Sequence, residues 1–260
     1  MIFDTHAHYN DPRYDGDRDA LLSSLPSAGV GCVLMPGTKM EHQPQILEIA
    51  GKYDFILAGA GIHPHYKPEA GDLSVLEGYL KDAKKHKIVA VGECGLDYFQ
   101  HEGYPPPDRA AQQELFDAQL CLAERYKLPV IVHDRDAHED CLNIVRAHPG
   151  LQYIFHCFSG DAEMVKLLSG MGIYMSFAGG VTYKKNAALR QAAAAVPDEL
   201  LLVETDAPYL APEPFRGKRC DSLMIPHILS VLAEARGQTV GEVEELTWSN
   251  GLRVFSARNR

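Results

Sequence analysis

The side chains best suited to chemistry stand where apolar runs end. Ile2-Phe3 leads into Asp4-Thr5-His6-Ala7-His8, Val89-Ala90-Val91-Gly92 into Glu93, and Val130-Ile131-Val132 into His133. Tyr153-Ile154-Phe155 is followed by His156, and Leu201-Leu202-Val203 by Glu204-Thr205-Asp206. Imidazoles and carboxylates are the ordinary nitrogen and oxygen ligands of divalent metals. His6 and His8 lie two apart, so on an extended segment both rings point to the same side. If His6, His8, Glu93, His133, His156 and Asp206 converge, the two carboxylates repel each other, and a bound divalent cation removes that cost. Six ligands exceed the three or four of a single catalytic zinc. A neutral imidazole ends on one metal, whereas a carboxylate has two oxygens and can bridge. The set therefore divides over two divalent cations with Glu93 between them, an arrangement whose metals stand roughly 3.5–4 Å apart in phosphoesterases and some peptidases. These donors do not select among Zn, Mn, Ni and Fe, and oxygen-preferring Mg is the poorer match.

Convergence requires a frame. Strand-like runs recur at 2–3, 32–35, 56–60, 88–91, 130–132, 153–155, 173–176 and 201–203. Helical patterns lie between them. In 107–126 the apolar Ala110, Leu115, Ala118 and Leu122 favour one face. In 161–171 Asp161 predicts an N-cap, with Met164, Val165 and Leu168 as the buried stripe. Gly29 closes the first helix, and Pro129 stands just before its strand. Eight strands alternating with helices over 260 residues predict an α/β fold, a single (β/α)8 TIM barrel spanning 1–260. The segments 223–236 and 240–247 supply the last helices, expected on the barrel's outside. In such a barrel all five polar strand ends meet at one rim.

Composition limits the partners. The chain has 35 acidic against 25 basic residues, a net charge of −10, which opposes wrapping of duplex DNA through clustered Lys and Arg. Any nucleic acid must be held locally or through bound metal, as a single strand or by its end. The six cysteines form no CxxC pair, which excludes a zinc ribbon and a thioredoxin motif and predicts reduced thiols. The opening Met1-Ile2-Phe3-Asp4 leaves no room for a signal sequence. The uncharged stretch 20–38 holds three Ser, two Pro and three Gly, and reads as helix end, turn and strand. The expectation is a cytoplasmic protein without a membrane segment; oligomeric state is not legible.

Six motifs carry a resemblance. Asp4-Thr5-His6-Ala7-His8, Gly61-Ile62-His63-Pro64-His65 and Gly92-Glu93-Cys94-Gly95-Leu96-Asp97-Tyr98 are followed by His133-Asp134-Arg135-Asp136, His156-Cys157-Phe158-Ser159-Gly160 and Glu204-Thr205-Asp206-Ala207-Pro208-Tyr209-Leu210. In this order, over nearly the whole chain, they resemble the TatD-related metal-dependent deoxyribonucleases, amidohydrolase-like metallo-hydrolases. The resemblance implies a distorted TIM barrel and hydrolysis of nucleic-acid phosphodiesters, often as a 3′-to-5′ exonuclease. It assigns His6, His8, Glu93 and Asp206 to one metal, and Glu93, His133 and His156 to the other. The chain departs from the family pattern at Asp134, where Ser is common, and at Cys220-Asp221-Ser222, where Asn-Glu-Pro is usual. Both departures are expected where substrate meets the rim.

Asp206 is the candidate to take the proton of the attacking water. Pro64 stiffens the turn that aims His63 at a phosphate, and Arg135 can clamp one bidentately. Arg216, Lys218 and Arg219, after the eighth strand, form a three-cation cluster suited to guide phosphate to the rim. Cys94 and Cys157 follow ligands directly and point the other way, as core thiols. Glu204 lies two before Asp206 and can hold a ligand histidine by its free N–H. Two other functions use the same barrel. Metals acting on a carbonyl would make an ester hydrolase such as a D-aminoacyl-tRNA deacylase, and loss of catalysis would leave a metal-binding scaffold.

Overall fold

The computed structural model describes residues 1–100 and 106–256. Eight strands lie side by side in chain order: β1 (Ile2–Asp4), β2 (Val30–Met35), β3 (Ile56–Ala60), β4 (Ile88–Asp97), β5 (Val130–Arg135), β6 (Tyr153–Phe155), β7 (Tyr174–Phe177) and β8 (Leu201–Val203). Each is parallel to the next. Beyond β8 the chain meets β1 again. The Thr5 N–H donates to the Val203 carbonyl at 3.2 Å, and Ala7 pairs with Ala207 in a parallel bridge. The sheet thereby closes into the expected TIM barrel.

The strands are buried on both faces because helices cover the outside, as all-parallel sheets require. Helices α1 (Arg18–Ser24), α2 (Gln43–Lys52), α3 (Asp72–Lys81), α4 (Arg109–Tyr126), α5 (His138–Ala147), α6 (Ala162–Gly170), α7 (Ala187–Ala195) and α8 (Ile225–Arg236) fill the connections. The caps follow the sequence. Asp108 accepts from the Ala111 N–H at 3.1 Å at the head of α4, and Asp161 accepts from Met164 at 3.0 Å at the head of α6. Gly29, at φ +88°, ends a short 3-10 turn (Pro26–Ala28) that continues α1. Among the described residues no helix is long and apolar enough to cross a membrane.

The last helix departs from expectation. It does not stop at Thr247 but runs as α9 (Val240–Ser256), and it lies against the strand starts. Phe3 of β1 meets Trp248 and Phe255 at ring distances of 6.3 and 5.7 Å. The Asn250 amide donates to the carbonyls of Asp198 and Leu201 at 2.7 and 2.9 Å, in front of β8. Val243, Thr247, Asn250 and Val254 form one buried face, so α9 closes the lower mouth of the barrel. The Asn250-Gly251 pair, which would ordinarily end a helix, is used here for contact with the strands.

Gly251 has no room for a side chain: a Cβ there would stand 2.5 Å from Cδ1 of Phe3. Gly78, inside α3, has nothing within 4 Å of that position. Gly→Ala in an open helix interior gains about 0.5–1 kcal/mol, whereas forcing atoms into a packed core costs about 1–3 kcal/mol. Urea unfolding should therefore show G78A more stable than wild type and G251A less stable. A stabilised G251A would mean that α9 does not press on β1.

Candidate metal centre

The site is built around Glu93. Sequence reading ends the fourth strand at Val91 with Glu93 beyond it, but β4 continues to Asp97 through a bulge between Val91 and Cys94. The bulge depends on glycine. Gly92 has φ +135°, and a Cβ on it would stand 2.7 Å from the Ile131 carbonyl. Gly61 passes so close that its Cβ would meet the Gly92 Cα at 2.6 Å. The Glu93 N–H donates to the Gly37 carbonyl at 2.6 Å, and the Gly37 N–H to the Gly92 carbonyl at 2.9 Å. β4 is thus pinned to the end of β2 with its carboxylate inside the rim.

Five imidazoles surround that carboxylate. Oε1 lies 2.9 Å from His133 Nδ1, 2.9 Å from His156 Nε2 and 3.2 Å from His63 Nε2. Oε2 lies 3.2 Å from His6 Nε2 and 3.6 Å from His8 Nε2. Asp206 adds the second carboxylate from the turn after β8, its Oδ1 3.5 Å from His8 Nε2 and 3.8 Å from His6 Nε2. All six sequence-predicted ligands come together. His63, expected beside a phosphate, lines the cleft, is mostly buried and also reaches Glu93.

The surrounding groups hold these rings in place. Asp97 Oδ2 is 3.0 Å from His133 Nε2 and 2.7 Å from His65 Nε2. Glu204 Oε1 stands 3.3 Å from His156 Nδ1 and accepts from the Cys157 N–H at 2.7 Å, as its spacing implied. Asp4 joins the two ends of the barrel. It accepts from the Thr205 hydroxyl at 2.7 Å, the Thr205 N–H at 3.0 Å and the Ser222 hydroxyl at 2.6 Å. Sequence reasoning left Asp97 and Asp4 as parts of motifs without roles. The signal for Asp97 is its even spacing from Glu93, which on an extended strand puts both on one side.

Electrostatics follow from burial and proximity. Burial alone would raise Glu93, but His156, His63 and His6 outweigh it and hold the carboxyl well below its usual range. Burial likewise opposes charge on Asp206, and the His8 hydrogen bond with the neighbouring imidazoles keeps it ionised. Burial pushes His63 down to about 4, which leaves it a neutral ring with a lone pair. Burial works against charge on Asp97 too, and His133 and His65 reverse it.

The donor set fits divalent cations. His6 Nε2 faces His8 Nε2 at 3.1 Å, and His133 Nδ1 faces His156 Nε2 at 3.2 Å. Paired ring nitrogens at that distance require a shared proton or a cation between their lone pairs. His6, His8 and Glu93, and also His63, Glu93 and His133, bring three donor atoms within 4.8 Å of one another. They border a cleft of about 670 Å³ on the strand-end rim.

Arg135 lines this cleft with its guanidinium 3.9 Å over the Phe99 ring. Arg216, Lys218 and Arg219 do not line it. Arg219 is paired bidentately with Asp17 at 2.7 and 2.6 Å, and Arg216 lies 4.6 Å over Tyr183. Asp134 is at the cleft as expected, where it accepts from His138 Nδ1 at 2.7 Å. Ser222, by contrast, is fully buried against Asp4, so the departure at Cys220-Asp221-Ser222 acts beneath the site and not at the substrate rim. Cys94 is buried in the core, whereas Cys157 lines the cleft.

A profile of TatD-related DNases matches residues 3–256. The chain belongs to this family. A Bacillus subtilis relative, the uncharacterized metal-dependent hydrolase YabD, is 36% identical over 259 residues, covering 98% of this chain and 99% of the relative. The 3′-5′ ssDNA/RNA exonuclease TatD of Klebsiella pneumoniae is 32% identical over 263 residues, covering 98% and 97%. The crystal structure of the TatD homologue YjjV from Escherichia coli superposes with a TM-score of 0.91 at 32% identity, over 98% of each chain.

Within this TatD-family site, Asp97 orients His133 without being one of the six predicted ligands. Asp97→Asn keeps the shape and weakens the acceptor. Removal of such an orienting carboxylate typically costs about 10–100-fold in metal affinity. Chelator competition with Zn²⁺ or Mn²⁺ should show a loss of that order in D97N. Unchanged affinity would separate Asp97 from the metal centre.

Proposed function

We propose that this TatD-family protein is a dinuclear divalent-metal hydrolase that removes nucleotides from the 3′ ends of single-stranded nucleic acid. One observation carries the reading: a buried carboxylate, Glu93, reached at one oxygen by His6 and His8 and at the other by His133 and His156, with Asp206 open to the cleft beside them. His6, His8, Glu93 and Asp206 would hold one cation, and Glu93, His133 and His156 the other. His63 stands within reach of the second set through Glu93. Divalent cations bound there supply positive charge against the phosphodiester's developing negative charge and make a water acidic at neutral pH.

The chain's own groups do the rest. Asp206, ionised and partly exposed at the cleft, accepts the water's proton. Asp97 and Glu204 fix the rings of His133 and His156, so their other nitrogens stay directed at Glu93. Arg135 offers the one Lys or Arg side chain among the described cleft residues, placed to hold a phosphate next to the scissile one. Tyr66 and Tyr209, 37% and 48% exposed at the same rim, present rings on which bases can stack. Stacking needs unpaired bases, and the net charge of −10 opposes duplex wrapping. All six cysteines are unpaired, which fits the reducing cytoplasm.

End-labelled oligonucleotides with reconstituted Zn²⁺ or Mn²⁺ test this directly. A 5′-labelled single strand should shorten stepwise from its 3′ end, faster than a blunt duplex, and stop on chelation. Hydrolysis of an aminoacyl-RNA ester with no nucleotide release would overturn it in favour of a deacylase. D206N should retain its fold and lose about 10²–10⁴-fold in turnover at saturating metal. Turnover within tenfold of wild type would remove Asp206 as the proton acceptor.

Arg135 and the cluster after β8 separate by the same assay. R135A should raise KM for oligonucleotides several-fold and flatten the salt dependence, because each lost phosphate contact removes about 0.7 from the log–log slope. Replacement of Arg216, Lys218 and Arg219 together should change KM less than R135A does. The opposite order would return the phosphate contact to that cluster.

A further inference from the structure

A second group of metal-ligating side chains lies on the outer wall of the barrel, away from the rim. Asp117, Cys121 and Glu124 stand at i, i+4 and i+7 on α4 and so share one face. Against that face comes His148, the residue that follows α5. Its ring is largely buried, with Nε2 3.1 Å from Asp117 Oδ1 and Nδ1 3.0 Å from Glu124 Oε1. Donor atoms of Asp117, Cys121 and His148 all fall within 4.8 Å of one another. Asp117 and Cys121 are exposed, so an ion has a path in and a solvent-facing position left for water.

We propose that Asp117, Cys121 and His148 form a separate site for one thiophilic divalent cation of the Zn²⁺ class, independent of the catalytic centre. One sulfur, one nitrogen and one oxygen donor suit borderline-soft cations and not Mg²⁺ or Ca²⁺. Glu124 completes the arrangement. It accepts from the Nδ1–H of His148 and leaves Nε2 for the ion, the carboxylate–histidine–metal relation found around protein-bound zinc.

The protonation balance is explicit. In the metal-free protein each ring nitrogen of His148 faces a carboxylate oxygen, and burial works against the doubly protonated ring while Asp117 and Glu124 favour it. Burial, with Asp117 and Glu124, raises the Cys121 thiol, which is therefore protonated. Binding releases the Nε2 proton of His148 and the Sγ proton of Cys121. The cation's two charges are then matched by the Asp117 carboxylate and the Cys121 thiolate. The ion also ties α4 to the segment after α5.

Co²⁺ is the decisive probe, because none of the predicted catalytic ligands is a thiolate. Full-length protein kept reduced and saturated with Co²⁺ should show a near-ultraviolet sulfur-to-cobalt charge-transfer band. The band should vanish in C121S and persist in C157S, which removes the cysteine lining the catalytic cleft. Elemental analysis after Zn²⁺ reconstitution should give C121S one equivalent less than wild type, with phosphodiesterase activity unchanged. Cys121 is exposed and outside the His148 hydrogen bonds, so C121S keeps the fold. No thiolate band at saturating Co²⁺, or a band that survives in C121S, would overturn the site whatever the catalytic centre does.

Discussion

One buried carboxylate organises the molecule. Glu93 sits 3% exposed with five imidazoles near it, and a charge so far from water is stable only when opposite charge and hydrogen bonds surround it. Those groups come from four different strands of the barrel. His6 and His8 rise from β1, His63 follows β3, His133 belongs to β5 and His156 follows β6. The carboxylate can reach all of them because β4 bulges at Gly92 and because Gly61 gives it room. A side chain at either glycine would meet backbone atoms, so the same packing that closes the barrel sets the direction of Glu93.

The opposite side of the site depends on Asp4. Fully buried, its carboxyl is pushed up to about 7 by burial, against four donors from Ser222, Thr205 and His6. Those bonds join the last residue of β1 to the turn after β8 and to the chain entering α8. His6 and His8 follow Asp4, and Asp206 follows Thr205, so the bonds fix one half of the ligand set relative to the other. The seam where an open sheet would have its two edges is therefore also where one predicted metal position is assembled. Fold closure and site geometry are one constraint here.

That coupling explains what could be read from the sequence. All eight strands are legible because each apolar run is short and alternates with a helical pattern, and five of them lead into a polar residue. The six ligand-type residues are legible because they follow those five runs, and parallel strands bring their C-terminal ends together. The contact of His63 with Glu93 was not legible, because a Gly-x-His-Pro-His turn does not reveal which way its first ring faces. Asp97 was hidden by the bulge: once β4 is read as ending at Val91, a residue six positions later seems to belong to a loop. The length of α9 was hidden by Asn250-Gly251, a helix stop in most contexts and a contact with β1 and β8 in this one. The cations after β8 could not be judged without their partners. Asp17, which takes up Arg219, is some two hundred positions away in sequence.

The charge distribution then sets a condition on any anionic substrate. Asp11, Glu93, Asp97, Asp134 and Asp206 all line the cleft, and Arg135 is the only Lys or Arg among its described lining residues. Asp11 is answered by Arg13 at 2.8 Å, and Glu93, Asp97 and Asp206 by imidazoles, of which His8, His133 and His156 are, against burial, raised by these carboxylates. Two unit charges 4 Å apart at an effective dielectric near 20 interact by about 4 kcal/mol. Once those rings are neutral, as metal ligands must be, the carboxylates left without cations would repel a phosphodiester. Cations held by the histidines and the two carboxylates, as proposed, would reverse the sign beside the phosphate. The acidity of the cleft would in this sense be part of its selectivity, because it would tie substrate binding to metal loading. The same acidity leaves recognition beyond the reacting phosphate to groups outside the acidic lining, such as the exposed rings of Tyr66 and Tyr209, over which Lys39 and Arg13 lie at 5.6 and 4.3 Å.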